Sequence, residues 1–284
     1  MLDNLTLNKS MNGKLYLVAT PIGNLEDITL RAIKVLKEVD VVAAEDTRHT
    51  LKLLNHLELK KKLISYHRHN ESTKSTILID MLLEGKDIAL VSDAGTPAIC
   101  DPGEDIVKQA IENDIEVIPI PGACALINAL IGSGMDTTEF SFYGFLPLNK
   151  KNRKEKLDII KNESKTVIIY EAPHKLLNTL KDILSIRSEN TKIVLAKELT
   201  KIHEEFIRGT IKDVIERINE IKGEYIIVIE GNFNVDNSEK DNLTIEQLYN
   251  SYELQGFSKK DIIKQIAKDK NVNKNEIYQY FLDR

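Results

Sequence analysis

Short hydrophobic runs alternate along the first half of the chain with segments in which apolar residues recur every three or four positions. The runs predict buried strands at residues 15–19, 40–44, 62–66, 88–91 and 116–120. The segments between them predict helices; Ala32, Val35, Leu36 and Val39, for example, share one helix face. Strands that alternate with helices in this way predict a parallel sheet with helices on both faces.

The same alternation restarts around a polar, basic stretch at residues 147–154. Further strands are predicted at residues 140–146, 166–170, 192–196 and 225–229, with helices around residues 176–184 and 211–221. We place a domain boundary at the basic stretch, which gives an N-terminal α/β domain of residues 14–146 and a second α/β domain of residues 147–232. The length of 284 residues is sufficient for two such domains.

Both ends of the chain depart from this pattern. Residues 1–13 are polar and patternless, and we expect a disordered leader there, with Met11 as an alternative start. Residues 233–243 are rich in Asn, Asp and Ser, which predicts a linker. Residues 244–284 predict three short helices.

This C-terminal segment has the spacing of a helix-turn-helix, with a small residue at Ala267, a turn residue at Asn271 and a β-branched residue at Ile277. Residues 241–284 hold seven Lys or Arg and seven Asp or Glu, so the segment carries no net charge. A helix-turn-helix that binds duplex DNA through its phosphates is expected to be more basic. RNA contact, packing and a dimer accessory remain open as its role.

Composition and charge argue against secreted and membrane proteins. The net charge of −5 provides no global basic field for nucleic acid, so any RNA contact must come from local patches. The two cysteines provide no disulfide framework, which is typical of a reducing cytosol. No apolar run approaches the roughly 20 residues that span a bilayer, and the N-terminus lacks the apolar region of a signal peptide. We therefore expect a cytoplasmic protein without a membrane partner.

Polar motifs follow the carboxyl ends of the predicted strands. The longest, at residues 92–103, contains Asp93, Asp101 and a glycine, Gly95, whose backbone can approach a ligand closely. The loop after the first strand has one glycine, Gly23, and does not match the dinucleotide-binding pattern G-x-G-x-x-G. Because open α/β sheets bind ligands at the carboxyl ends of their strands, these loops predict a ligand site.

These motifs, in this order, resemble those of one family. They are LYLVATPIGNLEDIT at residues 15–29, AEDTR at 44–48, SDAGTP at 92–97 with DPG at 101–103, PGA at 121–123 and YEAPH at 170–174. The combination is similar to the tetrapyrrole-methylase superfamily and, within it, to methyltransferases that act on small-subunit ribosomal RNA. The resemblance covers about residues 14–232, and the C-terminal helices resemble a helix-turn-helix that this branch carries.

The resemblance implies a fold, a reaction and a cofactor. The fold is α/β, with two domains, a cofactor cleft between them and a small helical segment at the C-terminus. The reaction transfers a methyl group from S-adenosylmethionine to the ribose 2′-hydroxyl of cytidine 1402 in 16S ribosomal RNA, and the enzyme is a homodimer. Carried over residue by residue, the cofactor contacts are Pro21, Gly23, Asp93, Ala94, Gly95, Thr96, Ile99, Cys124, Ala125, Tyr170, Glu171 and Ala172.

Two positions depart from the family pattern. Arg68 stands where the family usually has an acidic residue, and Lys175 stands where it usually has Arg. The first departure argues against a role of His67 or His69 in proton transfer. The spacing of these histidines is not a metal signature and methyl transfer needs no metal, so we expect none.

A ribose hydroxyl is a poor nucleophile while it keeps its proton. A carboxylate can accept that proton, or a cation can stabilise the developing alkoxide. The candidates are Glu45, Asp46, Arg48, Lys197 and Glu198. Asp46 is the first choice, because the two adjacent acids follow the end of a strand. The alternative for these acids is a helix N-cap with an acidic first turn, and Glu171 can equally bind polar groups of the donor.

Contacts with RNA phosphates require basic residues, and Lys150, Lys151, Arg153 and Lys154 form a run at the expected domain boundary. Two other functions remain open. A methyltransferase of the same fold that acts on a small molecule such as a tetrapyrrole would need neither this run nor the C-terminal helices. A helix-turn-helix protein whose α/β part senses a ligand would need a more basic C-terminal segment.

Overall fold

The first half of the chain folds into a parallel sheet, as its alternating pattern predicts. In the computed structural model the strands are β1 (Leu15–Val18), β2 (Val41–Ala44), β3 (Lys62–Ser65), β4 (Ile88–Val91) and β5 (Val117–Ile120). They lie in the order β3-β2-β4-β1-β5, and every neighbouring pair is parallel. The helices that follow the strands are α1 (Leu30–Glu38), α2 (Thr47–His56), α3 (Glu71–Leu83), α4 (Glu104–Glu112) and α5 (Ala125–Ser133).

The structure describes residues 12–218, 221–232, 243–254, 257–270 and 272–282. Nearly all of the expected leader, with Met11, and nearly all of the expected linker lie outside the described residues. The expected turn residue Asn271 also lies outside them.

The strands of the first sheet are apolar because both faces of the sheet are covered. One face packs against α3 and α4, where Leu15, Ile88 and Leu90 are buried. The other face packs against α1, through Val35 and Leu36. Since the strands are parallel, their carboxyl ends all lie at one edge of the sheet.

The second sheet is mixed, whereas the first is parallel. Its strands are β6 (Phe140–Phe145), β7 (Thr166–Glu171), β8 (Lys192–Lys197), β9 (Glu205–Thr210) and β10 (Tyr225–Ile229), in the order β6-β7-β10-β8-β9. Only the β6–β7 pair is parallel. The helices are α6 (Lys150–Asn162), α7 (Leu176–Ile186) and α8 (Ile211–Arg217), and all three contribute to the core on one face of this sheet.

The two sheets divide earlier in the chain than the sequence predicts. Strand β6 pairs with β7 in the second sheet, although we expected it to close the N-terminal domain. Helix α5 also packs on the second sheet, where Leu126 and Leu130 contact a core that includes Ile168 and Val228. The chain therefore passes from the first sheet to the second after β5, within the residues that we assign to the N-terminal domain.

The basic stretch that we expected to be a connection is the beginning of α6. Asn149 is the N-cap, and its side-chain oxygen accepts the N–H of Lys151 at 2.9 Å. Leu157 and Ile160, three residues apart, bury the inner face of the helix. The start of α6 is occupied by lysines, so the hydrophobic pattern does not predict a helix there.

The C-terminal residues form the three expected helices, α9 (Ile245–Leu254), α10 (Lys259–Asp269) and α11 (Lys274–Leu282). They have a small core of their own, in which Ala267 of α10 and Ile277 of α11 are buried, as the helix-turn-helix spacing predicts. Among the helices that the structure describes, none combines the length and the hydropathy needed to cross a membrane.

Candidate active site

A cavity lies where the carboxyl edge of the first sheet meets one face of the second sheet. Its volume is about 430 Å³, within the range of small-molecule sites. The first sheet supplies loops that follow β1, β2, β4 and β5, and the second sheet supplies residues of β6, β7, β8 and β10. A ligand in this cavity would contact both α/β units.

Hydrogen bonds join the loops of the first sheet to one another. The Thr20 N–H donates to the Gly95 carbonyl at 2.9 Å, and the Gly95 N–H donates to the Thr20 carbonyl at 3.0 Å. The hydroxyl of Thr96 donates to the Ala123 carbonyl at 3.1 Å, which ties the loop after β4 to the loop after β5. Gly95 has a φ of +83°, and a Cβ there would lie 3.1 Å from Cγ2 of Ile22. Backbone therefore forms this wall of the cavity.

Nearly all of the cofactor residues expected from the resemblance line this cavity. They are Asp93, Ala94, Gly95, Thr96, Ile99, Cys124, Ala125, Tyr170, Glu171 and Ala172. Pro21 and Gly23 do not line it, whereas Ile22 between them does. Gly23 approaches the second unit instead, since a Cβ there would lie 2.6 Å from Cγ of Lys201.

Tyr170 and Glu171 form a fixed part of the wall at the end of β7. The Tyr170 hydroxyl oxygen accepts the Leu126 N–H at 3.1 Å, and burial raises the pKa of this phenol. Its ring packs edge-on against Phe142, with 4.9 Å between the ring centroids. The Glu171 carboxylate is buried and accepts a hydrogen bond from the hydroxyl of Thr179. Both side chains are therefore held in place by the protein itself.

Three carboxylates from the first-sheet loops, those of Glu45, Asp93 and Asp101, line the same cavity. Burial and the nearby Glu45 raise the pKa of Asp101 to about 6. Burial and the nearby Asp93 likewise raise the pKa of Glu45. The guanidinium of Arg68 opposes both shifts, and it donates a hydrogen bond to the Cys100 carbonyl. The three carboxylates give the cavity a negative potential, which favours a ligand that carries positive charge.

Replacing Asp101 with asparagine is expected to stabilise the folded chain at neutral pH. The folded-state pKa of about 6 lies above the ordinary value of 3.8, so the stability of the wild type falls as the pH rises from about 4 to about 6. Asparagine removes this loss. After allowance for solvent screening, we expect the stability gained over the wild type to grow by about 1 kcal/mol between about pH 4.5 and about pH 8.

Thermal unfolding of the two proteins at those two pH values measures the effect. The gain corresponds to a rise of about 2 °C in Tm. A difference in Tm that is the same at both pH values would contradict a raised pKa at Asp101.

Of the expected catalytic residues, Glu45 lines the cavity, whereas Asp46 and Arg48 do not. Asp46 is the N-cap of α2, and its side chain accepts the Arg48 N–H at 2.8 Å. The Arg48 guanidinium lies 2.7 Å from its carboxylate, and these contacts hold the pKa of Asp46 far below its ordinary range. Asp46 is therefore a helix N-cap, as the alternative interpretation of the sequence predicts. The lowered pKa of its carboxylate makes Asp46 a weak proton acceptor.

Lys197 and Glu198, the other expected catalytic residues, also lie outside the cavity lining. The ammonium of Lys197 pairs with Glu205 on the neighbouring strand at 3.7 Å. The Glu198 carboxylate contacts the ammonium of Lys201 at 2.9 Å and accepts the Glu224 N–H at 2.8 Å. Both side chains are engaged within the second unit, where they hold the loop after β8.

The expected RNA contacts divide into two kinds. Lys150, Lys151 and Lys154 are exposed on α6. Arg153 points inward instead: it donates to the Asp182 carboxylate at 2.8 Å and to the Thr179 hydroxyl at 2.7 Å. Arg153 is therefore corrected from a phosphate contact to a link between α6 and α7.

Several lining residues were not assigned to the site from the sequence. Cys100 and Asp101 belong to the loop at residues 92–103 that the sequence already singled out, so their position was a usable signal. Others come from the second unit, and among them are Phe145, Leu199 and Ile226. These are apolar residues of ordinary strand and loop patterns, which carry no sign of a ligand. Within the described ranges, no three His, Cys, Asp or Glu side chains are grouped as a metal site.

Comparison with known proteins identifies the family. The family model for Tetrapyrrole (Corrin/Porphyrin) Methylases matches residues 14–215. The ribosomal RNA small subunit methyltransferase I of Halalkalibacterium halodurans is 50% identical over 274 residues, which cover 95% of this chain and 94% of the relative. The protein of the same name in Bacillus subtilis is 48% identical over 279 residues, 96% and 95% of the two chains.

Solved structures show the same fold. The uroporphyrin-III C-methyl transferase of Thermus thermophilus, complexed with S-adenyl homocysteine, aligns with 77% of this chain and 97% of its own at a TM-score of 0.56 and 17% identity. The expected architecture of two α/β units with C-terminal helices is thereby confirmed. This chain belongs to the tetrapyrrole (corrin/porphyrin) methylase family, and within it to the group named ribosomal RNA small subunit methyltransferase I.

Proposed function

We propose that this protein transfers a methyl group from S-adenosylmethionine to the ribose 2′-hydroxyl of cytidine 1402 in 16S ribosomal RNA. One observation carries the choice of substrate. The two relatives from Halalkalibacterium halodurans and Bacillus subtilis, which are named for ribosomal RNA, align with 95% and 96% of this chain, whereas the solved uroporphyrin-III enzyme aligns with 77% of it and the family model ends at residue 215. Alignments of that length with the two relatives extend into the C-terminal helices, which lie beyond the family model.

The cavity fits the donor in size, charge and shape. S-adenosylmethionine carries a sulfonium and an ammonium, and the carboxylates of Asp93 and Asp101 face a cavity that favours such cations. Apolar side chains such as Ile22 and Ile99 offer contacts for an adenine ring. A Cβ at Gly95 would lie 3.1 Å from Cγ2 of Ile22, so a glycine there lets the backbone approach a ligand closely.

When bound, the donor supplies an electrophilic methyl group. The protein must then orient the ribose hydroxyl and remove its proton. We propose that a carboxylate oxygen of Glu45 accepts this proton, because Glu45 lines the cavity and burial raises its pKa. The loops around Thr20 and Gly95 hold the wall in one position, which favours in-line transfer.

The exposed lysines Lys150, Lys151 and Lys154 are proposed to contact phosphates of the RNA.

We also propose that the protein is a homodimer, that it acts in the cytoplasm, and that it binds the small ribosomal subunit. Two exposed apolar side chains support a partner surface: Leu148 is 75% exposed and Ile202 is 96% exposed. Sedimentation equilibrium tests this, and a monomer at micromolar concentration would reject it.

The experiment that tests the function uses labelled S-adenosylmethionine with small ribosomal subunits, free 16S RNA and a tetrapyrrole precursor in parallel. The products are digested to nucleosides and analysed by mass spectrometry. Label in 2′-O-methylcytidine from subunits or RNA is the expected result. Label in the tetrapyrrole alone would instead support the small-molecule alternative of the same fold.

A further inference from the structure

A second cavity lies on the C-terminal helices, away from the candidate active site. Its volume is about 500 Å³, and it is lined by Lys259, Lys260 and Ile263 of α10 and by Lys274, Tyr278, Phe281 and Leu282 of α11. The lining positions repeat at helical spacing on both helices, so the cavity is a groove along the α10–α11 pair. We call these seven residues the basic groove.

The lysines of the basic groove form no ion pair with the residues that the structure describes. Within the part of the chain that the structure describes, no carboxylate lies within 4.0 Å of the ammonium of Lys259, Lys260 or Lys274. Three such charges on one groove create a local positive potential on a chain whose net charge is −5.

Of the three acidic residues on α10 and α11 that the structure describes, Asp261 and Asp269 are hydrogen-bonded within the C-terminal helices, and Glu276 is exposed outside the basic groove. Asp269 is buried and accepts a hydrogen bond from the Tyr252 hydroxyl. The Asp261 carboxylate accepts the hydroxyl of Ser258, the N-cap of α10. None of these three carboxylates lines the basic groove, so the groove is more positive than the neutral total of the segment, and the argument from net charge against nucleic-acid contact does not apply to it.

The floor of the basic groove is apolar and partly aromatic. Tyr278 is 53% exposed and Leu282 is 60% exposed, although both are large. Phe281, which also lines the groove, packs against Tyr249 with 4.9 Å between the ring centroids. An exposed aromatic face between cations is the arrangement with which proteins bind single-stranded nucleic acid, since bases stack on the ring and phosphates meet the cations.

We propose that the basic groove binds a single-stranded segment of RNA, with one base stacked on Tyr278 and the backbone phosphates on Lys259, Lys260 and Lys274. The choice of RNA as the nucleic acid rests on the proposed function. A concave groove between two helices accepts an unstacked base, whereas duplex DNA receives a projecting helix in its major groove. The C-terminal helices thus supply a second RNA contact, distinct from the methyl-transfer cavity.

Charge removal tests the phosphate contacts. Fluorescence anisotropy of the full chain with a fluorescein-labelled single-stranded 12-nucleotide RNA compares Lys259→Gln/Lys260→Gln with Lys264→Gln/Lys268→Gln. The second variant removes the same charge from exposed positions of α10 outside the groove. We expect the groove variant to bind about tenfold more weakly at about 0.1 M salt and the control to bind within about twofold of the wild type. The slope of log affinity against log salt should fall by about 1.4 in the groove variant alone.

A substitution at Tyr278 tests the stacking. We expect Tyr278→Ala to weaken binding about tenfold, whereas Tyr278→Phe keeps the ring and the affinity. Because more than half of this side chain is exposed, neither change opens the core of these helices. Equal affinities of the Ala and Phe variants would overturn the stacked base.

Three further results would overturn the proposal: equal losses in the groove and control lysine variants, no loss in either, or tighter binding of a 12-base-pair duplex DNA through the same lysines. The outcome is separable from that of the proposed function. If RNA binds the groove but no 2′-O-methylcytidine forms on any RNA, the methylation proposal fails while the groove stands. If 2′-O-methylcytidine forms but the groove variants bind the RNA like the wild type, the groove proposal fails alone.

Discussion

Replacing Gly95 with valine is expected to abolish binding of S-adenosylhomocysteine, with a loss of at least about 100-fold in affinity by calorimetry. Gly95 has a φ of +83°, where a β-branched side chain is strained, and its Cβ would already lie 3.1 Å from Cγ2 of Ile22. The γ-methyl groups of valine must then displace Ile22 or enter the cavity, since Gly95 lines it. Either change removes space that the ligand needs.

Gly134→Val provides the matched control for this substitution. Gly134 ends α5 with a φ of +77°, so valine meets the same backbone strain there, but nothing lies within 4 Å of its Cβ position. We expect this control to lose stability to a similar degree and to retain the affinity of the wild type. Unchanged affinity in Gly95→Val, or equal losses of affinity in both variants, would contradict the cavity as the cofactor site.

The first sheet could be predicted from the sequence because the pattern of apolar residues within each strand and helix is sufficient to identify it. Ile88–Val91 is apolar over its whole length and is buried on both faces, which leaves no competing assignment. The loops that follow such strands meet at one edge by geometry alone. The position of Asp93 and of Gly95 at a ligand cavity therefore follows from the order of elements, without any knowledge of the tertiary contacts.

The second sheet could not be predicted in the same way. Strand directions depend on the chain path between strands, and periodicity does not record it. Strand β9 forms the edge of the sheet, and no residue in Glu205–Thr210 is fully buried, so it lacks the apolar run that marks a strand. Helix α6 was missed for a related reason, because its first turns carry lysines that never enter the core.

The partners of charged side chains also could not be predicted from the sequence. Arg153 and Lys154 are adjacent and both basic, yet only Arg153 finds a carboxylate on α7, 29 residues later. A run of basic residues predicts a charged surface but not which of its members are used by the protein itself. The basic groove shows the converse, since a segment with no net charge acquires a positive face once Asp269 is buried against Tyr252.

The two α/β units make unequal contributions to the cavity. The first unit supplies backbone and carboxylates from the loops that follow its parallel strands. The second unit supplies apolar residues such as Ala196 and Ile226, together with Tyr170 and Glu171. Exclusion of water by these apolar residues strengthens the electrostatic interactions of the carboxylates on the opposite side of the cavity. Asp101 and Glu45 both line this cavity, and burial is the main cause of the raised pKa of each.

The sharpest test of the chemistry compares two neighbouring carboxylates. We expect Glu45→Gln to lower kcat for RNA methylation by about 10² to 10⁴-fold while affinity for S-adenosylhomocysteine changes little, because the amide keeps the shape and loses the basic oxygen. Asp46→Asn makes the same chemical change one residue later. Asparagine is also a good N-cap, and the exposed ion pair with Arg48 contributes little stability, so this variant should retain activity within about threefold.

The pH dependence distinguishes a proton acceptor from a residue that only shapes the cavity. A base must be ionised to act, so the rate of the wild type should rise with pH through the raised pKa of Glu45 and level off above it. Glu45→Gln should lack that rise, and Asp46→Asn should keep it. A reversed pair of results would return the role to Asp46 and would require its carboxylate to leave Arg48 during the reaction. Full activity in both variants would exclude both acids and move the search to Asp93 and Asp101, the other two carboxylates from the first-sheet loops that line the cavity.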